Sequence, residues 1–227
     1  MPYLLLILLL IALLFGPQWL AQYTFRRHAR PLPRIPGSGG ELARHLLDRF
    51  EMPAVKVEKS EAGNDHYDPE SRTVRLSPDN HDRNSLTAVA VAAHEVGHAI
   101  QHHRGEPMLL LRTRLTRVAL SLQKLGAAAL LVMPVAALVS RSPAMGFLLL
   151  LAGVGSMFLT TLVHLVTLPV ELDASFNKAL PILRNGYIAK EDEAAVRKIL
   201  RAAALTYVAG SLASLLNFWR WASILRR

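Results

Sequence analysis

The sequence predicts a mainly α-helical chain with a small β component, organised around one histidine-bearing helix and joined to transmembrane helices. Three observations carry that expectation. Apolar residues make up 52% of the 227 and charged residues only 19%, and much of the apolar content lies in runs of about twenty residues rather than in periodic stripes. The stretch "AVAAHEVGHAIQHH", Ala90 to His103, is alanine-rich and free of proline, as a helix requires. "AVKVE" and "RTVRLS" alternate apolar and polar residues as short strands do.

The first apolar run, "YLLLILLLIALLFGPQWLAQYTF", is followed at once by "RRHAR". About twenty apolar residues at roughly 1.5 Å rise cross a hydrocarbon layer of about 30 Å, so residues 1–25 are expected to form a transmembrane anchor. The arginines follow the run instead of preceding it, which argues against a cleaved signal peptide and puts Arg26 onward in the cytoplasm. Residues 26–117 then form the first cytosolic part. After the linker "PLPRIPGSGG" a helix is expected, because Leu42, Leu46, Leu47 and Phe50 share one stripe. Gly37, Gly39 and Gly40 resemble a phosphate loop only loosely, with no strand before them and no Lys-Ser/Thr after. The two strands follow, with "NDHYDPES" as the turn between them, and Ser85 caps a helix from Leu86 to about His102.

Apolar blocks from about Val118 to Val139 and from about Met145 to Leu168 flank "SRSPA" and read as a membrane hairpin over 118–168. Arg112, Arg114 and Arg117 precede it, so both its ends face the cytoplasm and 169–204 returns to the cytosolic part. The last segment, 205–227, carries Ser211, Ser214, Asn217 and Arg220 among its apolar residues, with Trp219 and Trp221 near its end. Spanning, interfacial and packed readings all stay open for it.

A net charge of +9 is compatible with nucleic acid, anionic lipid or topological bias. The arginines cluster beside apolar runs without interleaved aromatics, which favours lipid over nucleic acid. The absence of cysteine excludes disulfides, thiol nucleophiles and thiolate metal sites, so any metal must be held by nitrogen and oxygen.

On the expected helix His94 and His98 stand four apart, one turn apart on one face. Two imidazoles at that spacing can share one Zn²⁺, while Glu95, one step round, can reach water at the open position of the ion and serve as its general base. A third protein ligand is still needed. A third histidine six residues after His98 would make a metzincin, but that position is Arg104. His102 and His103 are expected to be bystanders. Glu171, in "TLPVELDASFNKAL", lies where the hairpin returns to the cytoplasm and is the candidate third ligand. His164 lies within an apolar run, either beside the site or as a satisfied buried imidazole.

"DHYDP", "VRLS", "VAAHEVGHAIQ" and "LPVELDAS", in this order and spacing, resemble the YugP-type neutral zinc metallopeptidases, membrane proteins of bacteria. The likeness covers about Gly37 to Ala209 and extends in layout to the HtpX-type membrane peptidases, whose cytosolic zinc site is linked to quality control. It implies a zincin-like, gluzincin core with His94, His98 and Glu171 on zinc and Glu95 as base. In many gluzincins an Asp four residues after the ligand Glu orients a histidine; that position is Ser175, the nearest Asp is Asp173, and either could make the contact.

The resulting expectation is zinc-dependent peptide hydrolysis at the cytoplasmic membrane face of a bacterial inner membrane, on peptide or membrane-protein substrates. His66, Tyr67 and Tyr207 are candidate donors to the tetrahedral oxyanion. The rival readings are a non-catalytic zinc-dependent scaffold that binds partner proteins, and a small transporter using His164 and Glu171.

Overall fold

The computed structural model describes residues 2–140, 159 and 162–204, and among them the chain is mainly helical with one small sheet. Helix α1 spans Pro2–Arg27 and α2 spans Gly39–Arg49. Ser38 Oγ accepts from Glu41 N while the Glu41 carboxylate accepts from Ser38 N, a reciprocal cap that sets where α2 begins. The predicted stripe is the buried one: Leu42, Leu46 and Leu47 enter the core, and Phe50, just past the end, packs against it. A Cβ on Gly39 would stand 2.1 Å from the Asn80 carbonyl and 2.8 Å from that of Ala88. Close backbone packing is the reason for that glycine.

The sheet corrects the expected turn. Strand β1 (Lys56–Lys59) pairs in parallel with β3 (Thr73–Leu76), and between them in sequence lies a third strand, β2 (His66–Asp68), antiparallel to β3 in the order β1-β3-β2. The segment read as a turn therefore contains an edge strand, and the tight reversal is confined to Pro69–Arg72. Asp68 closes it, accepting from Glu70 N, Ser71 Oγ and Arg75 Nη1. The Ser71 hydroxyl, aided by Arg75 and the main-chain N–H groups and opposed by partial burial, holds the Asp68 carboxyl well below the ordinary carboxylate range. A depressed folded-state pKa contributes stability that is complete above the unfolded value of about 4 and is lost as pH falls below it. Asp68→Asn should lower the thermal midpoint at pH 7, with a cost of about 1 kcal/mol, and flatten its decline between pH 5 and 3; a parallel decline in both proteins would contradict this.

Helix α3 (Pro78–Asp82) leads to α4 (Leu86–His103), which starts at Ser85 as expected, Ser85 Oγ accepting from Ala88 N at 3.1 Å. Almost all of α4 is buried. Its start is tied to the end of α1, with Thr87 Oγ1 donating to the Phe25 carbonyl. Helix α5 (Pro107–Ser140) runs without interruption through the expected boundary at 117–118. Helix α6 (162–172) continues into a π-helical segment, Asp173–Ala179, then α7 (Leu180–Arg184), a 3₁₀ turn at Lys190–Asp192 and α8 (193–204). Leu76, Val74, Leu46, Leu47, Val96, Leu183, Ile199 and Leu200 meet in one core that joins the sheet, α2, α4, α7 and α8. Each such side chain contributes roughly 1.5–3 kcal/mol by leaving water.

Among the described residues no helix is long and apolar enough to cross a membrane, so the predicted transmembrane helices are not found there. Helix α5 carries Arg112, Arg114 and Arg117 ahead of the expected limb from Val118, and Lys124 within it. The loop of the expected hairpin from 141 and much of its second limb (through 158, with 160 and 161), and all of 205–227, lie outside the described residues.

Candidate metal centre

Two elements build the centre. On α4, His94 and His98 project one turn apart with ring centroids 4.7 Å apart and planes at 79°. At the end of α6, Glu171 is 0% exposed and brings Oε2 to 3.1 Å from His94 Nε2 and 3.3 Å from His98 Nε2. The close approach of the two elements depends on Gly97, because a Cβ there would stand 2.9 Å from the Ala174 carbonyl oxygen. The π turn that begins at Asp173 presents that main chain to α4, and such wide turns gather at functional sites. Gly97→Ala is expected to cost about 1–3 kcal/mol by overpacking and to push Glu171 away from the histidines. Thermal unfolding and zinc titration check it, and an unchanged midpoint would contradict it.

His94, His98 and Glu171 form a buried group whose ligand atoms all lie within 4.8 Å of one another. Two ligands at about 2.0–2.1 Å from one ion, at a tetrahedral angle, stand roughly 3.3 Å apart. The observed separations of 3.1 and 3.3 Å fit that figure. The chemistry fits as well. Each histidine has its Nδ1 engaged on the far side, His94 with Ser175 Oγ at 3.0 Å and His98 with Gln101 Oε1 at 2.8 Å. Both Nε2 atoms thus face a carboxylate in a buried space, a donor set that a cation satisfies. Among the described residues Glu171 Oε1 has no hydrogen-bond partner, and Arg112 Nη2 at 3.5 Å makes only an ion-pair approach to it. Burial would raise the Glu171 carboxyl, but the two imidazoles outweigh it and keep the group anionic, well below the ordinary range.

Glu95 is buried next to His94, and both line a cleft of about 220 Å³ walled by Phe25, Val91, Ile199 and Leu200, with Gln18 and Asp65 as further polar lining. Burial, with Glu171 and Asp65 adding to it, pushes the Glu95 carboxyl up to about 7, against the opposing pull of His94 and of the Tyr67 main-chain N–H on edge strand β2.

The remaining sequence candidates divide. Ser175 touches His94 directly, whereas Asp173 reaches His98 only through Gln101, whose Nε2 donates to Asp173 Oδ2 at 2.7 Å. Each candidate therefore serves a different histidine. The Tyr67 hydroxyl is taken up by His102 Nδ1 at 2.8 Å, and burial raises that phenol to about 12. His66 Nδ1 bonds to the Asn64 carbonyl at 3.0 Å. Neither side chain is brought to the His94–His98–Glu171 group, and Tyr207 lies outside the described residues. His103 is exposed and His164 half-buried, both outside the group; His102, the other expected bystander, has Tyr67 as its partner. Sequence reasoning missed Gln101. Its signal was an amide three residues after His98 on the same helix.

Two buried histidines of an HExxH sequence on α4, met by a buried carboxylate from α6, match the donor set of zinc hydrolases. The family comparison agrees: the model described as "Putative neutral zinc metallopeptidase" matches residues 3–226, and the chain belongs to that family. The chain is 36% identical over 217 residues to "Putative membrane protease YugP" of Bacillus subtilis (strain 168), covering 94% of this chain and 92% of that protein. No solved structure matches. Zinc is the cofactor this family and this donor set imply.

Proposed function

We propose that the chain is a zinc metalloendopeptidase in which His94, His98 and Glu171 hold the ion and Glu95 is the general base. The convergence of two Nε2 atoms on a fully buried carboxylate, with Glu95 lining the adjoining cleft, is the observation that carries this reading. When bound, zinc supplies Lewis-acid polarisation of a peptide carbonyl and acidifies water at its open position. Glu95 takes the proton from the attacking water and passes it to the leaving amine, one carboxylate serving both steps. Burial in the cleft raises its proton affinity above that of an exposed carboxylate, which suits it to that exchange. Strand β2 lies at the sheet edge beside Glu95, so an extended peptide can add to it by main-chain hydrogen bonds. Recognition of an extended segment along its main chain favours internal cleavage over trimming of chain ends.

The work is assigned to the cytoplasmic face of a bacterial membrane, on membrane-associated polypeptides, in keeping with quality control. The name of the Bacillus subtilis relative supports the membrane setting. So does the exposed apolar surface: Phe15, Trp19, Leu20 and Tyr23 on α1, and Leu110, Leu111, Val118, Leu120 and Leu122 on α5. Arg26 and Arg27 at the end of α1 favour the cytoplasmic orientation.

The test is hydrolysis of an unstructured protein by the purified full-length chain, before and after chelation. The proposal predicts internal cleavage that is lost on chelation and restored by one equivalent of zinc. Stoichiometric zinc without cleavage of any of a broad set of peptides would point instead to the scaffold reading.

A further inference from the structure

Gln101 is 1% exposed, and its amide is committed on both sides. Nε2 donates to the Val170 carbonyl at 3.0 Å and to Asp173 Oδ2 at 2.7 Å, while Oε1 lies 2.8 Å from His98 Nδ1. A main-chain carbonyl and a carboxylate only accept hydrogen bonds. Turning the amide over would set its oxygen against both acceptors, so Oε1 has to face His98. His98 Nδ1 must then carry the proton and donate it. In the neutral ring this leaves Nε2 as a bare lone pair, directed at Glu171 Oε2.

Asp173, which fixes the amide, is itself fixed. Lys178, buried, forms an ion pair with it and a second one with Glu106 at 3.0 Å, and Asn177 Nδ2 donates to Asp173 Oδ1 at 2.9 Å. His94 has no equivalent device. Its Nδ1 meets the Ser175 hydroxyl, which donates or accepts equally well and so permits either tautomer.

We propose that Gln101 is a positioning residue that locks His98 in the tautomer needed for metal binding, held in turn by Asp173, Lys178 and Glu106, so that His98 is preset before an ion arrives while His94 adjusts. The inference rests on His98 being a zinc ligand, as proposed above. It links the junction of α4 and α5 to the metal centre through the ion pairs of Glu106 and Asp173 with Lys178.

The experiment uses the full-length, zinc-free protein with isotope-labelled histidine, in detergent micelles above the pH of imidazole titration. Nitrogen–proton correlation spectra read each tautomer directly. His98 is expected as the Nδ1-protonated form alone, and to become a mixture in Gln101→Met. Competition with a chromophoric chelator should show zinc affinity falling about 10–100-fold in Gln101→Met, and less in Ser175→Ala. Gln101→Glu, which sets two carboxylates together, should weaken binding; combining it with Asp173→Asn, which restores an acceptor for His98 and a donor at 173, should recover part of the loss. An Nε2-protonated or mixed His98 in the unmodified protein overturns the proposal, and so does unchanged affinity in Gln101→Met. The first readout needs no variant to fold. A protein that binds zinc without cleaving peptides would refute the peptidase reading and leave this one standing.

Discussion

Glu95→Gln is expected to reduce peptide hydrolysis by about 10²–10⁴-fold or more while one zinc per chain stays bound. The substitution keeps the size and planarity of a buried side chain on α4 and removes only its ability to take a proton. The amide oxygen can still accept from the Tyr67 main chain, so the packing between α4 and β2 is preserved. His94, His98 and Glu171 keep their mutual geometry, since Glu95 is outside that group. Parallel zinc analysis and hydrolysis rates on the same sample check the result. Substantial turnover in the variant would remove Glu95 from its assigned role, and loss of zinc together with activity would show that it holds the ion instead.

The second large effect is loss of the metal in Glu171→Ala. Two neutral imidazoles on one helix are left, without the only anion of the set, and zinc affinity is expected to drop by well over 10-fold. Stability gives an independent measure. A ligand that binds only the folded state stabilises it by about 2.7 kcal/mol at a hundred times its dissociation constant. Added zinc should therefore raise the thermal midpoint of the parent and leave that of the variant nearly unmoved. Equal shifts in both would exclude Glu171 as a ligand.

Some of this was legible in the sequence because single residues carry local physics. Ser85 marks the start of α4, the stripe of Leu42, Leu46 and Leu47 marks the buried face of α2, and the spacing of His94 and His98 marks one helix face. Glu171 was reachable because two histidines leave a ligand missing and "TLPVELDASFNKAL" offers a carboxylate just after an apolar run. What escaped was set by pairing across the fold. Three residues, His66–Asp68, are too short to show alternation, and they become a strand only because β3 offers an edge. The π turn at Asp173–Ala179 has no composition of its own, since "DASFNKA" reads as ordinary helix until Ala174 must sit against Gly97. Gln101 looked like a polar residue near a helix end, and only the Val170 carbonyl and Asp173, some seventy positions on, reveal what its amide does. The run read as a hairpin limb from Val118 is the continuation of a helix that already began at Pro107, with Arg112, Arg114 and Arg117 in its first half.

The central claim is that two imidazoles from one helix and one carboxylate from another hold a single zinc ion. X-ray absorption at the zinc edge of the purified protein tests it most directly. A nitrogen- and oxygen-only shell with two imidazole signatures, at one zinc per chain and lost in Glu171→Ala, is the predicted result. A protein that retains no zinc under gentle purification, or a coordination shell unchanged in Glu171→Ala, would contradict it.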